Sequence, residues 1–147
     1  MNNENKAPVR QTKFRGLRVD GKGRVYGGIT SINHTPDGKT YIVSNEGYEN
    51  DEENEKLVFI EVIPETIGQF TGKYTKSGSE IYEGDKLQQS KSCYWVVKWS
   101  DAECSWYCYQ HVFSKDPDGE FTWKKSNAYP RGCPLFRLLD YNYEIIE

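Results

Sequence analysis

Residues 62–87 read VIPETIGQFTGKYTKSGSEIYEGDKL, from Val62 to Leu87, and the fold turns on how this stretch is punctuated. Pro64 has no backbone N–H to give to a ladder, so it ends the strand before it, Lys56–Ile63. Gly68 and Gly72 bracket a very short extended piece, Gln69-Phe70-Thr71. Thr75-Lys76-Ser77-Gly78 is turn chemistry, with Gly78 supplying the permissive backbone. Glu80-Ile81-Tyr82-Glu83 is extended again, and Gly84-Asp85 turns the chain into a further strand at Lys86. Corners this closely spaced are poor material for helices and good material for a tightly turned β structure.

The chain before this stretch reads as one small β unit. Lys13–Val19 is a short strand weakened by Gly16, and Asp20-Gly21-Lys22-Gly23 carries the Asp-Gly hairpin signal. Arg24–Asn33 returns as a second strand. His34-Thr35-Pro36-Asp37-Gly38 is a turn, and Lys39–Ser44 is a third strand with Tyr41 and Val43 on one side and Thr40 and Ile42 on the other. Asn45–Glu55 concentrates carboxylates at Glu46, Glu49, Asp51, Glu52, Glu53 and Glu55. It reads as a solvated loop whose like charges repel, with mimicry of a phosphate backbone as the functional alternative. The strand Lys56–Ile63 is almost wholly apolar and is expected to be central.

The chain after it reads as a second unit. Lys86–Gln89 is a short strand. Cys93–Trp99, CYWVVKW, is the strongest strand of all: Cys93, Trp95, Val97 and Trp99 share one face, expected to be core, and Tyr94, Val96 and Lys98 share the other. Ser100–Glu103 is read as the turn, and Cys104–Phe113 returns antiparallel, setting Trp99 against Cys104 and Trp95 against Cys108. Asp116-Pro117-Asp118-Gly119 is a turn, and Glu120–Lys124 is the next strand. Leu135–Tyr141 reads as a short strand or a single helical turn. Asn142–Glu147 reads as a last edge strand or a disordered end. The expectation is a mainly β protein of two small subdomains. A disordered arm covers 1–12, the N-terminal subdomain 13–65 with its acidic loop at 45–55, and the C-terminal subdomain 66–147. Strand lengths and tight turns suggest a strongly bent, SH3-like barrel for the last.

Composition narrows the function. The chain has 147 residues, 36 % hydrophobic and 28 % charged, enough for one domain or two small ones. Aromatics make up 14 %, with 11 Tyr and 4 Trp against one Met, and aromatic rings pack well on pleated faces. A net charge of −3 argues against a protein that coats nucleic acid, while leaving room for a local basic patch. The N-terminal MNNENKAPVRQTK lacks the apolar run of a secretory signal, and no stretch approaches a membrane span. The expected location is the cytoplasm.

Catalytic and metal chemistry find little support. The 4 cysteines, at 93, 104, 108 and 133, form no Cys-x-x-Cys pair, and on one strand Cys104 and Cys108 would stand roughly 13 Å apart, too far to share a zinc. They read as small reduced thiols, and a disulfide is not expected. His111 falls on the strand face away from Cys108, which leaves no Cys–His nucleophile pair. Glu80, Glu83 and Asp85 are candidate paired carboxylates, but Glu83 and Asp85 read first as organisers of the corner at Gly84. No phosphate-binding glycine loop is present. No cofactor, no metal site and no enzyme activity are expected.

Aromatic residues interleaved with basic ones are the remaining signal. Tyr94, Lys98, Tyr107, Tyr109, Trp123 and Lys124, with Lys125 beside them, are a candidate binding surface on which single-stranded nucleic acid could stack. The same residues also suit cross-strand pairing that steadies a sheet, and that reading is preferred on charge.

Phe14-Arg15-Gly16, Val25-Tyr26-Gly27, the run Ile63–Gly72 and Ile81-Tyr82-Glu83-Gly84-Asp85 together resemble the YopX family of small bacteriophage and prophage proteins. The match spans Phe14 to Asp85, about half the chain. Arg24 stands where the family often has Trp, and Lys73-Tyr74-Thr75 where it often has Leu-Lys-Asp. The resemblance implies a mainly β fold and a phage setting in a bacterial host. It implies no established activity. The expected function is a non-enzymatic accessory protein, an interaction or structural module with an unknown protein partner or self-association. A nucleic-acid-binding module using the C-terminal aromatic and basic residues is the alternative, and no membrane partner is expected.

Overall fold

The computed structural model describes residues 12–27, 32–34, 36, 38–44 and 58–147, with 32–34 described by backbone alone. The expected arm, save Thr12, the acidic loop at 45–55 and the side chain of His34 lie outside the described residues. The chain is mainly β and divides into two compact units, Met1–Gly72 and Lys73–Glu147.

In the first unit, β1 (Phe14–Leu17) and β2 (Arg24–Gly27) form an antiparallel hairpin. Its turn is closed by Arg18 N–H to the Gly23 carbonyl at 2.9 Å. Asp20 braces it, accepting from the Arg18 guanidinium and, at 3.0 Å, from the Lys22 N–H. A separate meander runs β3 (Ile32–His34), β4 (Thr40–Ser44), β5 (Val58–Val62). The single strand expected over Arg24–Asn33 is therefore two strands in two sheets, and Gly27-Gly28 marks a weak point for one continuous ladder. The strand before Pro64 ends the three-stranded order instead of lying in its middle, and its Val58 and Phe59 are exposed.

Pro64 ends that strand as its missing N–H requires. A 3-10 turn, Pro64–Thr66, follows, and the Thr66 hydroxyl donates to the Ile63 carbonyl at 2.6 Å and accepts the Leu17 N–H at 2.8 Å. The chain then enters β6 (Gly68–Tyr74), longer than the expected Gln69–Thr71, which pairs with β1. Val25, Ile42 and Val62 make the small aliphatic core, with Ile60 and Ile67 against it. Gly16 explains itself here: a Cβ at that position would meet Val62 Cβ at 3.1 Å and Ile42 Cδ1 at 3.2 Å. A side chain would hold the hairpin off the core.

The second unit opens with β7 (Glu80–Tyr82) and the corner to β8 (Lys86–Ser90). Asp85 is buried at that corner and accepts the Tyr82 N–H at 2.8 Å, while Gly84 holds φ 88°. A buried carboxylate aimed back at the chain is what the Tyr-Glu-Gly-Asp run builds. Beyond lie β9 (Cys93–Ser100), β10 (Ser105–Lys115), β11 (Phe121–Lys125), β12 (Cys133–Pro134), α1 (Leu135–Leu138) and β13 (Glu144–Ile146). The sheet order is β11-β10-β9-β8-β13, with β12 on β10. It is an open sheet with β11 and β13 at its ends; no closed barrel is found among the described residues, and the SH3-like shape is not borne out. Long strands joined by tight turns fit an open meander equally well.

The register of the β9–β10 hairpin differs from the expected one. Trp99 faces Trp106, Val97 faces Cys108 and Trp95 faces Gln110. The turn occupies 101–104, and Cys104 carries the left-handed φ of 48° instead of opening the strand. The slip is by an even number of residues, so every side chain keeps its expected face, but Trp99, expected in the core, is 43 % exposed beside the turn. Leu87, Trp95, Val97 and Cys108 accordingly make the core with Ile81, Leu135 and Leu138.

Candidate functional site

The face of the β8–β11 sheet opposite that core carries the candidate site. Alternation along β9 puts Tyr94, Val96 and Lys98 there, and the register sets them opposite His111, Tyr109 and Tyr107 of β10 in turn. Along β11 it adds Phe121, Trp123 and Lys125, opposite Lys115, Phe113 and His111. Lys86 joins from β8, opposite Val96. At these positions of β9, β10 and β11 there is no carboxylate. Acidic side chains gather instead in the turns, at Asp101, Glu103, Asp116 and Asp118.

The rings form a continuous path. Phe121 and Phe113 stack at 5.6 Å and 29°, Phe113 meets Trp123 at 5.2 Å, and Trp123 meets Tyr94 at 4.6 Å. Tyr94 then lies nearly parallel to the His111 ring, at 5.2 Å and 7°. Two ammonium groups sit over rings of the same face: Lys86 at 5.2 Å from the Tyr94 centroid and Lys125 at 4.7 Å from that of Tyr109. Both lie within the range of cation–π attraction. Trp123 is 44 % exposed, Phe113 41 % and Phe121 58 %, so the path is open to a ligand along much of its length.

Of the residues singled out in the sequence, Tyr94, Lys98, Tyr107, Tyr109 and Trp123 come together on this face. Lys124 does not. It alternates to the other side, opposite Val112, and pairs with Asp116, whose carboxylate also accepts the Thr122 hydroxyl at 3.0 Å. The hydrogen bond from Lys124, seconded by that from Thr122, holds the Asp116 carboxyl below the usual range. Lys125 is the β11 lysine that shares the face with Trp123. Sequence reading missed His111, Phe113, Phe121, Lys86 and Lys115. Alternation through Tyr107, Tyr109, His111, Phe113 and Lys115 was there to be followed; which strand lay beside β10, and in what register, was not.

Tyr107 keeps its phenol proton more tightly than usual, through burial first and then the Glu103 carboxylate beside it, with Arg137 partly opposing. Cys93, Cys104, Cys108 and Cys133 are free thiols, and burial pushes Cys93, Cys108 and Cys133 up. His111 stands on the open face, with Nδ1 at 3.2 Å from the Tyr109 carbonyl, on the other side of the sheet from Cys108. Among the described residues, no group of three or more His, Cys, Asp and Glu is set to hold a metal ion. No helix among them is long and apolar enough to cross a membrane.

A family model described as YopX protein matches residues 13–128, a span that runs from β1 through β11 and takes in the whole of the open face. No curated protein and no solved structure matches the chain. The family match covers well over half of the sequence, and the chain belongs to the YopX family.

Proposed function

We propose that the second unit is a non-enzymatic binding module whose open sheet face takes single-stranded nucleic acid. The observation that supports this is the continuous ring path Phe121–Phe113–Trp123–Tyr94–His111, flanked by Lys86, Lys98, Lys115 and Lys125. Bases present a π face whatever their identity, and lysines at the edges of a ring path meet the backbone that joins them. A sheet that used its aromatics only for cross-strand support would have no need to keep carboxylates off those positions. The net negative charge of the whole chain weighs little against this, because the open-face positions of β9, β10 and β11 carry lysines and no carboxylate, and Glu144, opposite Gln88, stands on β13 at the far edge of the sheet.

The test is fluorescence anisotropy with a labelled pyrimidine oligonucleotide, the same oligonucleotide in duplex form, and a salt titration. The expected result is binding to the single strand over the duplex, with log K falling by about 0.7 per phosphate neutralised for each decade of salt. Binding that is absent at low salt removes the reading.

A second reading uses the same face for protein. Phe113, Phe121 and Trp123 are exposed together, and β11 ends the sheet order with a free edge among the described residues. Aromatic patches of this kind also serve partners and self-association. On either reading the protein acts as a phage or prophage accessory inside the bacterial cell. Light scattering across a concentration series, with and without oligonucleotide, separates the two.

A further inference from the structure

On the core side of the same sheet, within the second unit, lies a cleft of about 310 Å³. Two carboxamides, Gln89 and Gln110, line it. Gln89 sits at the register shift between Gln88 and Ser90, and its Oε1 accepts the Trp95 indole N–H at 2.9 Å, the Gln110 amide at 3.1 Å and the Cys93 thiol at 3.3 Å. An indole nitrogen only donates, so the orientation of the Gln89 amide is dictated by its neighbours. Its oxygen is filled, and its own amide hydrogens are uncommitted among the described residues. Gln110 is 9 % exposed; it donates to Gln89 and keeps its carbonyl oxygen. The cleft thus offers a donor beside an acceptor.

Its walls are rings. Trp95 and Tyr129 meet at 5.0 Å and 59°, and Tyr141 and Tyr143 stack at 5.4 Å and 12°. Arg137 lines the same cleft, which disfavours a cation and suits an anion. At about 310 Å³ the space is at the small end of ligand pockets, roughly 300–1,000 Å³.

We propose that this cleft binds a nucleobase presented as a nucleoside monophosphate. The base lies between the aromatic walls, its polar edge meets the Gln89 and Gln110 amides, and its phosphate meets Arg137. Each part follows from the chemistry of the lining. A base edge carries donor and acceptor side by side, and carboxamides read such edges in matched pairs. Rings stack on bases, and a guanidinium is built for phosphate. The site is separate from the open face, since Trp95 and Gln110 point to the core side and Tyr94, Tyr109 and His111 to the other. Tyr129, Arg137, Tyr141 and Tyr143 lie beyond residue 128, where the family match ends.

The experiment is a titration of the ¹⁵N-labelled full chain with AMP, GMP, CMP, UMP and ribose 5-phosphate, followed at the indole N–H signals of Trp95 and Trp123 and the side-chain amides of Gln89 and Gln110. Nucleotides are expected to move Trp95 and both glutamines and to leave Trp123 in place. One base should bind at least about tenfold tighter than the weakest, as unpaired edge groups require. Arg137→Ala should weaken the monophosphate about tenfold and leave the nucleoside unchanged, a charged hydrogen bond being worth that much. Tyr141→Ala, at an exposed ring that spares the fold, should weaken both. No movement at millimolar nucleotide, equal movement with ribose 5-phosphate, or movement of Trp123 in place of Trp95 each overturns the proposal. Only the last of these bears on the open face, so failure of one site is distinguishable from failure of the other.

Discussion

The two faces of the β8–β11 sheet are both rich in aromatic and apolar side chains, yet they do different work. On one, Leu87, Trp95, Val97 and Cys108 are at most 3 % exposed under Ile81 and the helix residues Leu135 and Leu138. On the other, Tyr94, Phe113, Phe121 and Trp123 meet one another in a path that includes three side chains above 40 % exposed. The difference lies in the interleaved residues. On the core face Trp95 and Trp106 stand among Val97, Cys108 and Gln110, with Lys124 at the far strand paired to Asp116, and on the open face the rings stand among lysines and a histidine. Burying ammonium groups without partners is costly, so the lysines decide which face the rest of the unit folds against.

The largest effect should come from the core face. Leu87→Ala removes a side chain only 2 % exposed and should cost about 2–5 kcal/mol of stability, read by denaturant unfolding. Oligonucleotide affinity measured on the folded fraction should be unchanged. If affinity falls in step with stability, the faces are not separable.

Next in size is the ring path. Trp123→Ala and Phe113→Ala should each weaken single-strand binding by about 1–3 kcal/mol, the contribution of one stacked base. Their effect on unfolding should stay within about 1 kcal/mol, because a cross-strand aromatic pair contributes little more. The reverse pattern, a stability loss with binding intact, would return these residues to the sheet-bracing role that their sequence pattern also suits.

The contrast between the faces is partly legible in the sequence. Alternation along CYWVVKW assigns Trp95 and Tyr94 to opposite faces without knowledge of any neighbour, and that assignment survives in the structure. The turn of the next hairpin is not legible, since Ser100–Glu103 and 101–104 share residues 101–103, and only the left-handed Cys104 distinguishes them. Because the slip was even, the faces held while the partners changed: Cys108 lies against Val97 instead of Trp95. Adjacency in sequence groups Lys124 with Trp123, whereas alternation along a strand separates neighbours. Barrel closure was beyond reach for a different reason. It depends on whether the end strands of a sheet meet, and no single stretch of sequence carries that. The cleft at Gln89 depends on a bulge and on rings more than thirty positions further along the chain, a juxtaposition that only the fold makes.

A smaller and sharper effect separates two adjacent lysines. Lys125→Ala should lower the salt dependence of binding, the slope becoming shallower by about 0.7 for one phosphate no longer neutralised. Lys124→Ala should leave that slope unchanged, because its ammonium faces Asp116 on the other side of the strand. Equal slopes for the two variants would mean that phosphate is held by the strand edge and not by the open face.

The Asp116–Lys124 pair supplies the smallest effect and the one confined to the closed side. The Asp116 carboxyl is held below its ordinary value in the folded chain, chiefly by Lys124 and then by Thr122. A group depressed in this way binds its proton more weakly folded than unfolded, so the stability it contributes is present above the unfolded value, roughly 3.9 for an aspartate. It is lost as pH falls through that value and on through the lower folded one. Thermal unfolding of the parent chain and of Asp116→Asn, compared from pH 7 down to pH 3, should therefore show the parent higher from pH 7 to about pH 5, with the gap narrowing as pH falls below about 4. The gap should be small and should shrink in salt, since the pair is partly open to solvent. Oligonucleotide binding by the same variant should match the parent at neutral pH, because the turn lies at the end of the β10–β11 hairpin and its carboxylate faces away from the ring path. A variant that tightens binding while losing the acid-side difference would show that Asp116 repels the strand from the open face, and the division between the two faces would then stop short of this turn.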